Sequence, residues 1–145
     1  MPAWTDAAVA EYVKRMPREA GLEVIEVRAE PRTQGAPAAR AIQAEAKRIQ
    51  AALPDGAFRV ALDERGRGCT TRELAKRLER WQMEGRTVAF VIGGADGLPE
   101  DVRRAADWVW SLSALTLPHA LARVIVAEQL YRATTILANH PYHRD

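Results

Sequence analysis

The chain has 145 residues, enough for one domain with a core of its own, and its 48% hydrophobic and 28% charged residues exclude the disordered and fibrous classes. The net charge is only +2, but 18 of the 21 basic residues are arginine, which permits a phosphate-rich partner without demanding one. A lone Cys69, the lack of any apolar window long enough to span a bilayer, and an N-terminus without a secretory pattern argue against membrane and secreted classes and point to the cytoplasm.

Residues 3–16 carry Trp4, Val9, Tyr12, Val13 and Met16 near one helical face, and Pro17 ends the run. LEVIEVR at 22–28 alternates and is rich in β-branched residues, so it predicts a strand. PRTQGAP at 31–37 has loop composition. From 38 to 53, Ile42, Ala46, Ile49 and Leu53 recur at helical spacing before a turn at Pro54–Gly56.

FRVALD at 58–63 predicts the second strand, followed by a loop ERGRGC. Thr70 and Glu73 have capping-box spacing, and Leu74, Leu78 and Trp81 mark a helix that Gly85 stops. TVAFVI at 87–92 is the third and most apolar strand, and it runs into GGADG. A helix is expected from Pro99 to Trp108, then the uncharged run SLSALTLP, then a helix from Pro118 to Leu137 with Leu121, Ile125 and Leu130 inward. The order α β α β α β α β α predicts a single α/β domain over residues 1–145, with a mainly parallel sheet covered on both faces.

Ligands of open parallel sheets bind beyond the carboxyl ends of the strands. Three loops of unusual composition lie there: LDERGRG, GGADG and SLSALTLP. GGADG lets backbone approach a ligand closely, although alone it reads equally as an ordinary strand-to-helix turn. Neither GxGxxG nor GxxxxGK[ST] occurs. LSALTLP offers backbone donors and acceptors framed by leucines, suited to an adenine, or else forms a buried strand leading into a helix.

HPYHR at 140–144 gathers two imidazoles, a phenol and a guanidinium. Its ligand set is poor for a metal, and no metal is expected; base stacking and phosphate pairing fit better, with a plain unstructured tail as the alternative. Ser111, Ser113 and His119 lack the GxSxG elbow of a hydrolase. Cys69 reads as a bystander thiol despite Arg67 and Arg72 nearby, and Glu128 with Arg132 as an i,i+4 helix pair.

Taken together, seven segments resemble the RlmH family of SPOUT-class methyltransferases: PAWTDAAVAEYVKRMP, LEVIEVR, ALDERG, LAKRLERWQMEGR, FVIGGADGL, WSLSALTLPHALARVIVAEQLYRA and NHPYHR. The resemblance covers essentially the whole chain. It implies S-adenosyl-L-methionine-dependent methylation at N3 of a pseudouridine in 23S ribosomal RNA within the ribosome, by a homodimer with a C-terminal trefoil knot. A related enzyme acting on tRNA and a noncatalytic ribosome-binding module stay open as alternatives.

By position, the resemblance implies cofactor contacts at Leu62, Gly94, Leu112, Ser113, Ala114, Leu115, Thr116 and Leu117. For the acceptor side of such a methyl transfer the tail is the candidate: His140 and His143 as possible bases, Tyr142 and Arg144 as binders and orienters, and Arg123 with Arg144 on RNA phosphate. Chains of the family begin with one further strand, ending in a Val-Gly-Lys-like turn before the segment matching Met1–Trp4. A start at an internal methionine is therefore the expectation for this sequence.

Overall fold

The computed structural model describes residues 3–25, 27, 38–94 and 97–144. Three strands, β1 (Phe58–Arg67), β2 (Val88–Ile92) and β3 (Trp108–Trp110), run parallel in the order β2-β1-β3. Around them lie α1 (Ala3–Arg15), α2 (Ala38–Ala52), α3 (Thr71–Met83), α4 (Glu100–Arg104) and α5 (His119–Leu137). The expected α/β class with a parallel sheet is what forms.

Parallel neighbours cannot be joined by a tight turn, so each crossover carries a helix. β1 sits in the middle, and the chain passes from β2 across to β3 on its other side, which places the two crossover helices on opposite faces. On one face Val60, Trp108 and Trp110 pack with Leu74, Ala75 and Trp81 of α3 and Val126, Leu130 and Ala133 of α5. On the other, Ala61 and Val91 pack with Ala46 of α2, Val102 of α4 and nearby Leu98. Adjacent residues Val60 and Ala61 point to opposite faces yet are 0% and 1% exposed, which is why β1 reads as an unbroken apolar run.

Trp81 is the centre of the larger cluster, its ring 5.5 Å from Phe58, 6.0 Å from Phe90 and 6.5 Å from Trp108. Trp108 stacks on Trp110 at 5.1 Å, and the Arg77 guanidinium covers Trp108 at 4.1 Å, closing the cluster toward solvent.

The caps of α3 form as the sequence predicts. Thr70 Oγ1 accepts from the Glu73 N–H at 3.1 Å, and the Glu73 carboxylate accepts from the Thr70 N–H at 3.0 Å. At the other end Gly85 takes φ +66, and the N–H groups of Gly85 and Arg86 return to the carbonyls of Gln82 and Trp81, a Schellman ending.

Three expectations are corrected. Residues 22–25 and 27, the described part of LEVIEVR, belong to no strand: among the described residues no neighbour pairs with them, and Val24 and Ile25 are 44% and 54% exposed. β propensity needs a hydrogen-bonded partner to become a strand. The helix after Pro99 stops at Arg104, and Trp108 begins β3 instead of ending a helix. There Asp107 clasps Arg59, its N–H donating to the Arg59 carbonyl at 2.8 Å and its carboxylate accepting the Arg59 N–H at 2.8 Å, which starts the β1–β3 ladder. Finally, β1 runs to Arg67, beyond the expected end at Asp63. The loop expected at 31–37 lies outside the described residues.

Candidate cofactor cleft and C-terminal site

The three strand-end loops converge on one cleft of about 740 Å³. β1 supplies Leu62 to Arg65, the turn after β2 supplies Gly93, Gly94, Gly97 and Leu98, and the run after β3 supplies Leu112, Ser113 and Leu115 to Pro118. The cleft lies at the carboxyl ends of a parallel sheet whose strand order reverses about β1, the place where such sheets take ligands. Of the expected cofactor residues, Leu62, Gly94, Leu112, Ser113, Leu115, Thr116 and Leu117 line it, while Ala114 is exposed on the same loop. Trp110, His119 and Ala122 line it too and were not singled out from sequence as cofactor residues, because their apolar or helical context gave no ligand signal.

Each loop is shaped by a local device. Leu62 and Arg67 both pair with Trp110, so Asp63 to Gly66 swing out of the β1–β3 ladder toward the cleft. Gly93 passes so close to the returning chain that a Cβ there would lie 2.6 Å from the Gly97 carbonyl carbon and 2.8 Å from the Leu98 nitrogen. Gly97 takes φ +79, and its N–H closes a turn onto the Gly94 carbonyl at 3.0 Å. In the third loop Ser111 Oγ donates to the Ser113 carbonyl and Ser113 Oγ accepts from the Leu115 N–H, each at 2.9 Å. These serines shape backbone; their hydroxyls are not arranged as nucleophiles.

Asp63 is the electrostatic anchor of the cleft rim. Its side chain, 9% exposed, accepts the Arg65 N–H at 2.8 Å, the Arg65 guanidinium at 3.1 Å and the Arg103 guanidinium at 3.4 Å. The side-chain hydrogen bonds from Arg65 hold its carboxyl below the usual aspartate range; the Arg65 backbone and the charges of Arg65 and Arg103 act the same way against burial. A carboxyl lowered by folding stabilises the fold above the ordinary aspartate range, and that contribution is lost as pH falls through the lowered value. Urea midpoints should therefore drop on acidification below the ordinary aspartate range. Asp63→Asn should be less stable at neutral pH and should flatten that acid limb; an unchanged limb would show that the clamp contributes nothing.

The tail is folded, not an unstructured end. α5 stops at a second Schellman ending: Asn139 takes φ +57, its N–H reaches the Ile136 carbonyl at 3.2 Å, and the His140 N–H reaches Thr135 at 2.8 Å. The chain then turns back along α5. Tyr142 packs edge-on against Tyr131 at 4.8 Å, Arg132 lies over the Tyr142 ring at 4.7 Å, and Arg132 also donates to His143 Nδ1 at 3.3 Å. Arg132 is itself held by Glu128 at 2.7 Å, the i,i+4 pair read from sequence. Tyr131 meets Tyr12 of α1 at 6.1 Å, so the tail rests on the paired helices.

These contacts fix chemical states. Arginine can only donate, so His143 Nδ1 is the acceptor; His140 Nδ1 likewise accepts from the Tyr142 N–H at 3.1 Å. In the neutral ring each then carries its proton on Nε2. Burial lifts the Tyr142 phenol above its usual value, with Tyr12 and Glu128 acting the same way and Arg132 opposing, so it stays protonated at neutral pH. Arg144 is exposed. Arg123 sits apart, 13% exposed and 3.7 Å from the Asp6 carboxylate, and would have to leave that carboxylate to reach a phosphate.

Burial raises the Cys69 thiol, with Glu73 acting the same way and Arg77 opposing, which suits a bystander. Among the described residues no three of His, Cys, Asp or Glu gather as a metal site, and no helix is long and apolar enough to cross a membrane.

Comparison with known proteins places these features in one setting. Residues 1–143 match the protein-family model described as "Predicted SPOUT methyltransferase". A protein of Thiobacillus denitrificans named Ribosomal RNA large subunit methyltransferase H is 59% identical over 145 residues, covering 100% of this chain and 93% of that protein. Proteins of the same name from Bordetella petrii and Paraburkholderia xenovorans are each 55% identical over 144 residues, covering 99% of this chain and 92% of theirs.

Proposed function

The chain belongs to the SPOUT methyltransferase family, and from that premise we propose that it methylates N3 of a pseudouridine in 23S ribosomal RNA within the ribosome, using S-adenosyl-L-methionine. The names of its relatives supply the ribosomal substrate. The observation that carries the reading is the pairing of one strand-end cleft with a separate, ordered, cationic and aromatic tail.

The cleft suits the cofactor on its own chemistry. Its volume of about 740 Å³ falls within the usual range for small-ligand sites. A Cβ at Gly94 would meet nothing within 4 Å, so the glycine leaves open space. Leu62, Leu112, Leu115 and Leu117 would cover apolar faces, while the backbone of Ser113 and Thr116 and the carboxylate of Glu64 offer polar partners. When bound, the cofactor supplies an electrophilic methyl group on a sulfonium.

The tail supplies the acceptor side. Arg144 binds phosphate, with Arg123 as a second cation if it is released from Asp6, and Tyr142 orients the base. Loss of the N3 proton leaves negative charge on the pyrimidine ring. Nε2 donors on His140 and on His143, the latter beside the Arg132 guanidinium, favour that charge. Service as a base at Nδ1 would require either imidazole to give up the hydrogen bond it now accepts.

Two copies are needed. His119 lines the cleft, whereas Tyr142 packs on Tyr131, about 18 Å along the same helix at 1.5 Å per residue. Reacting atoms must come within roughly 3–3.5 Å. A homodimer that sets the tail of one copy against the cleft of another removes this gap. α5 supports it: beyond its buried Ala122, Val126, Ala127, Leu130 and Ala133, it keeps half-buried Leu121, Val124 and Ile125, so it is apolar well around its circumference. The trefoil knot of the family is part of the same reading, as is the cytoplasm as the place where ribosomes are met.

Methyl-labelled cofactor offered with intact ribosomes and, separately, with bulk tRNA tests the assignment. Label should enter 23S rRNA at one pseudouridine, located by mass spectrometry, and tRNA should stay unlabelled. Label in tRNA alone would move the enzyme to another RNA, and no label in either would leave a noncatalytic binding module.

A further inference from the structure

The two walls of the cleft are joined across its mouth by one short hydrogen bond. Thr116 Oγ1, on the loop after β3, donates to Glu64 Oε2, on the excursion from β1, at 2.6 Å. Among the described residues two carboxylates line this cleft, and they stand in different electrostatic conditions. Asp63 is saturated by Arg65 and Arg103. Glu64 makes no ion pair among the described residues; it is met by the Thr116 hydroxyl and by the more distant charge of Arg65.

The other described charges around the cleft do not serve a cation. Asp63 is taken up by Arg65 and Arg103, Glu100 stands 3.9 Å from Arg103, and the start of α5 at Pro118 and His119 turns its positive dipole end toward the same space. A cationic ligand therefore finds its compensating charge at Glu64. Thr116 occupies one carboxylate oxygen and leaves the other as an acceptor. It also removes rotamer freedom that a long exposed side chain would otherwise keep, so the charge is held in place before a ligand arrives.

We propose that Glu64, held by Thr116, is the residue by which this cleft distinguishes the sulfonium cofactor from the neutral thioether left after methyl transfer. The two ligands are nearly the same in shape and differ by one methyl group and one positive charge at sulfur. A fixed carboxylate favours the first and lets the second go. This rests on the cofactor reading above and adds to it a positioning and specificity residue that was absent from the expected contact set.

Calorimetry on the full-length chain tests it with two ligands, S-adenosyl-L-methionine and S-adenosylhomocysteine, on three proteins: wild type, Glu64→Gln and Thr116→Val. Glutamine keeps the shape and an oxygen for Thr116 but removes the charge. Glu64→Gln should weaken the sulfonium ligand about tenfold, the scale of one charge-assisted interaction in a partly solvated site, and the thioether less than about twofold. Thr116→Val should shift the ratio in the same direction by a smaller factor. Added salt should narrow the wild-type ratio but leave that of Glu64→Gln nearly unchanged. Equal weakening of both ligands, or an unchanged ratio, overturns the inference while leaving the cofactor reading intact. A wild-type chain that binds neither ligand overturns the cofactor reading itself.

Discussion

A chain ending at Asn139 is expected to lose methyl transfer by about 10²–10⁴-fold, the scale for removing positioned proton-handling and charge-stabilising groups. Its affinity for S-adenosyl-L-methionine should stay within a few fold of the full-length value. The described residues that line the cleft all fall within 62–122, and none of them belongs to the tail. The tail in turn rests on Tyr131, Arg132 and, through Tyr131, Tyr12, well along α5 from the cleft. Truncation also removes the His140 N–H that caps Thr135, so thermal unfolding should be followed alongside activity to register that separate cost. The stronger form of the test uses mixed dimers. Gly94→Trp would fill the cleft from a position where a Cβ meets nothing within 4 Å, which leaves the tail intact. Each variant alone should be inactive, and mixing them should restore activity, because a hybrid holds one good cleft and one good tail in facing copies. A truncated chain that keeps its activity, or a mixture that stays inactive while forming hybrids, overturns the two-copy site.

Local signals in the sequence were good guides wherever they were self-contained. Thr70, Glu73 and Gly85 announced both ends of α3, because caps are made within a few residues. The three ligand-side loops were legible because a parallel α/β pattern says which strand ends matter, and all three line one cleft. What stayed hidden depends on partners far along the chain. LEVIEVR has the composition of a strand, but among the described residues nothing pairs with it. Trp108 reads as the end of a helix, but Asp107 and Arg59, 48 residues apart, set Trp108–Trp110 beside β1 as a strand. The fold of the tail was equally out of reach: an asparagine with positive φ and an arginine shared between a carboxylate, a phenol ring and an imidazole carry no periodic signature.

Gly66→Ala is expected to lower stability by about 1–3 kcal/mol, the usual cost of forcing extra volume into a packed site. For a chain of this size that corresponds to about 3–10 °C in Tm. The cause is space rather than backbone angle. A Cβ at 66 would lie 2.4 Å from the Val109 carbonyl oxygen, 2.6 Å from its carbonyl carbon and 2.8 Å from its Cγ1. Two of those three atoms are backbone of β3, which is pinned by its ladder to β1 and by the Ser111 N–H bonded to the Arg67 carbonyl at 3.0 Å. The methyl group therefore has no flexible side chain to push aside and must part the strands. The consequence reaches the site, because Gly66 closes the excursion that carries Asp63, Glu64 and Arg65 to the cleft, and β3 leads directly into residues 111–118 on the opposite wall. Cofactor affinity should fall together with stability. Gly68→Ala is the matched control: its Cβ would come no closer than 3.8 Å to the Ser111 carbonyl oxygen, so its effect should stay within about 0.5 kcal/mol. Equal unfolding midpoints for the two variants would mean that β1 and β3 do not approach this closely at Gly66, and the shape derived for the cleft would fail with them.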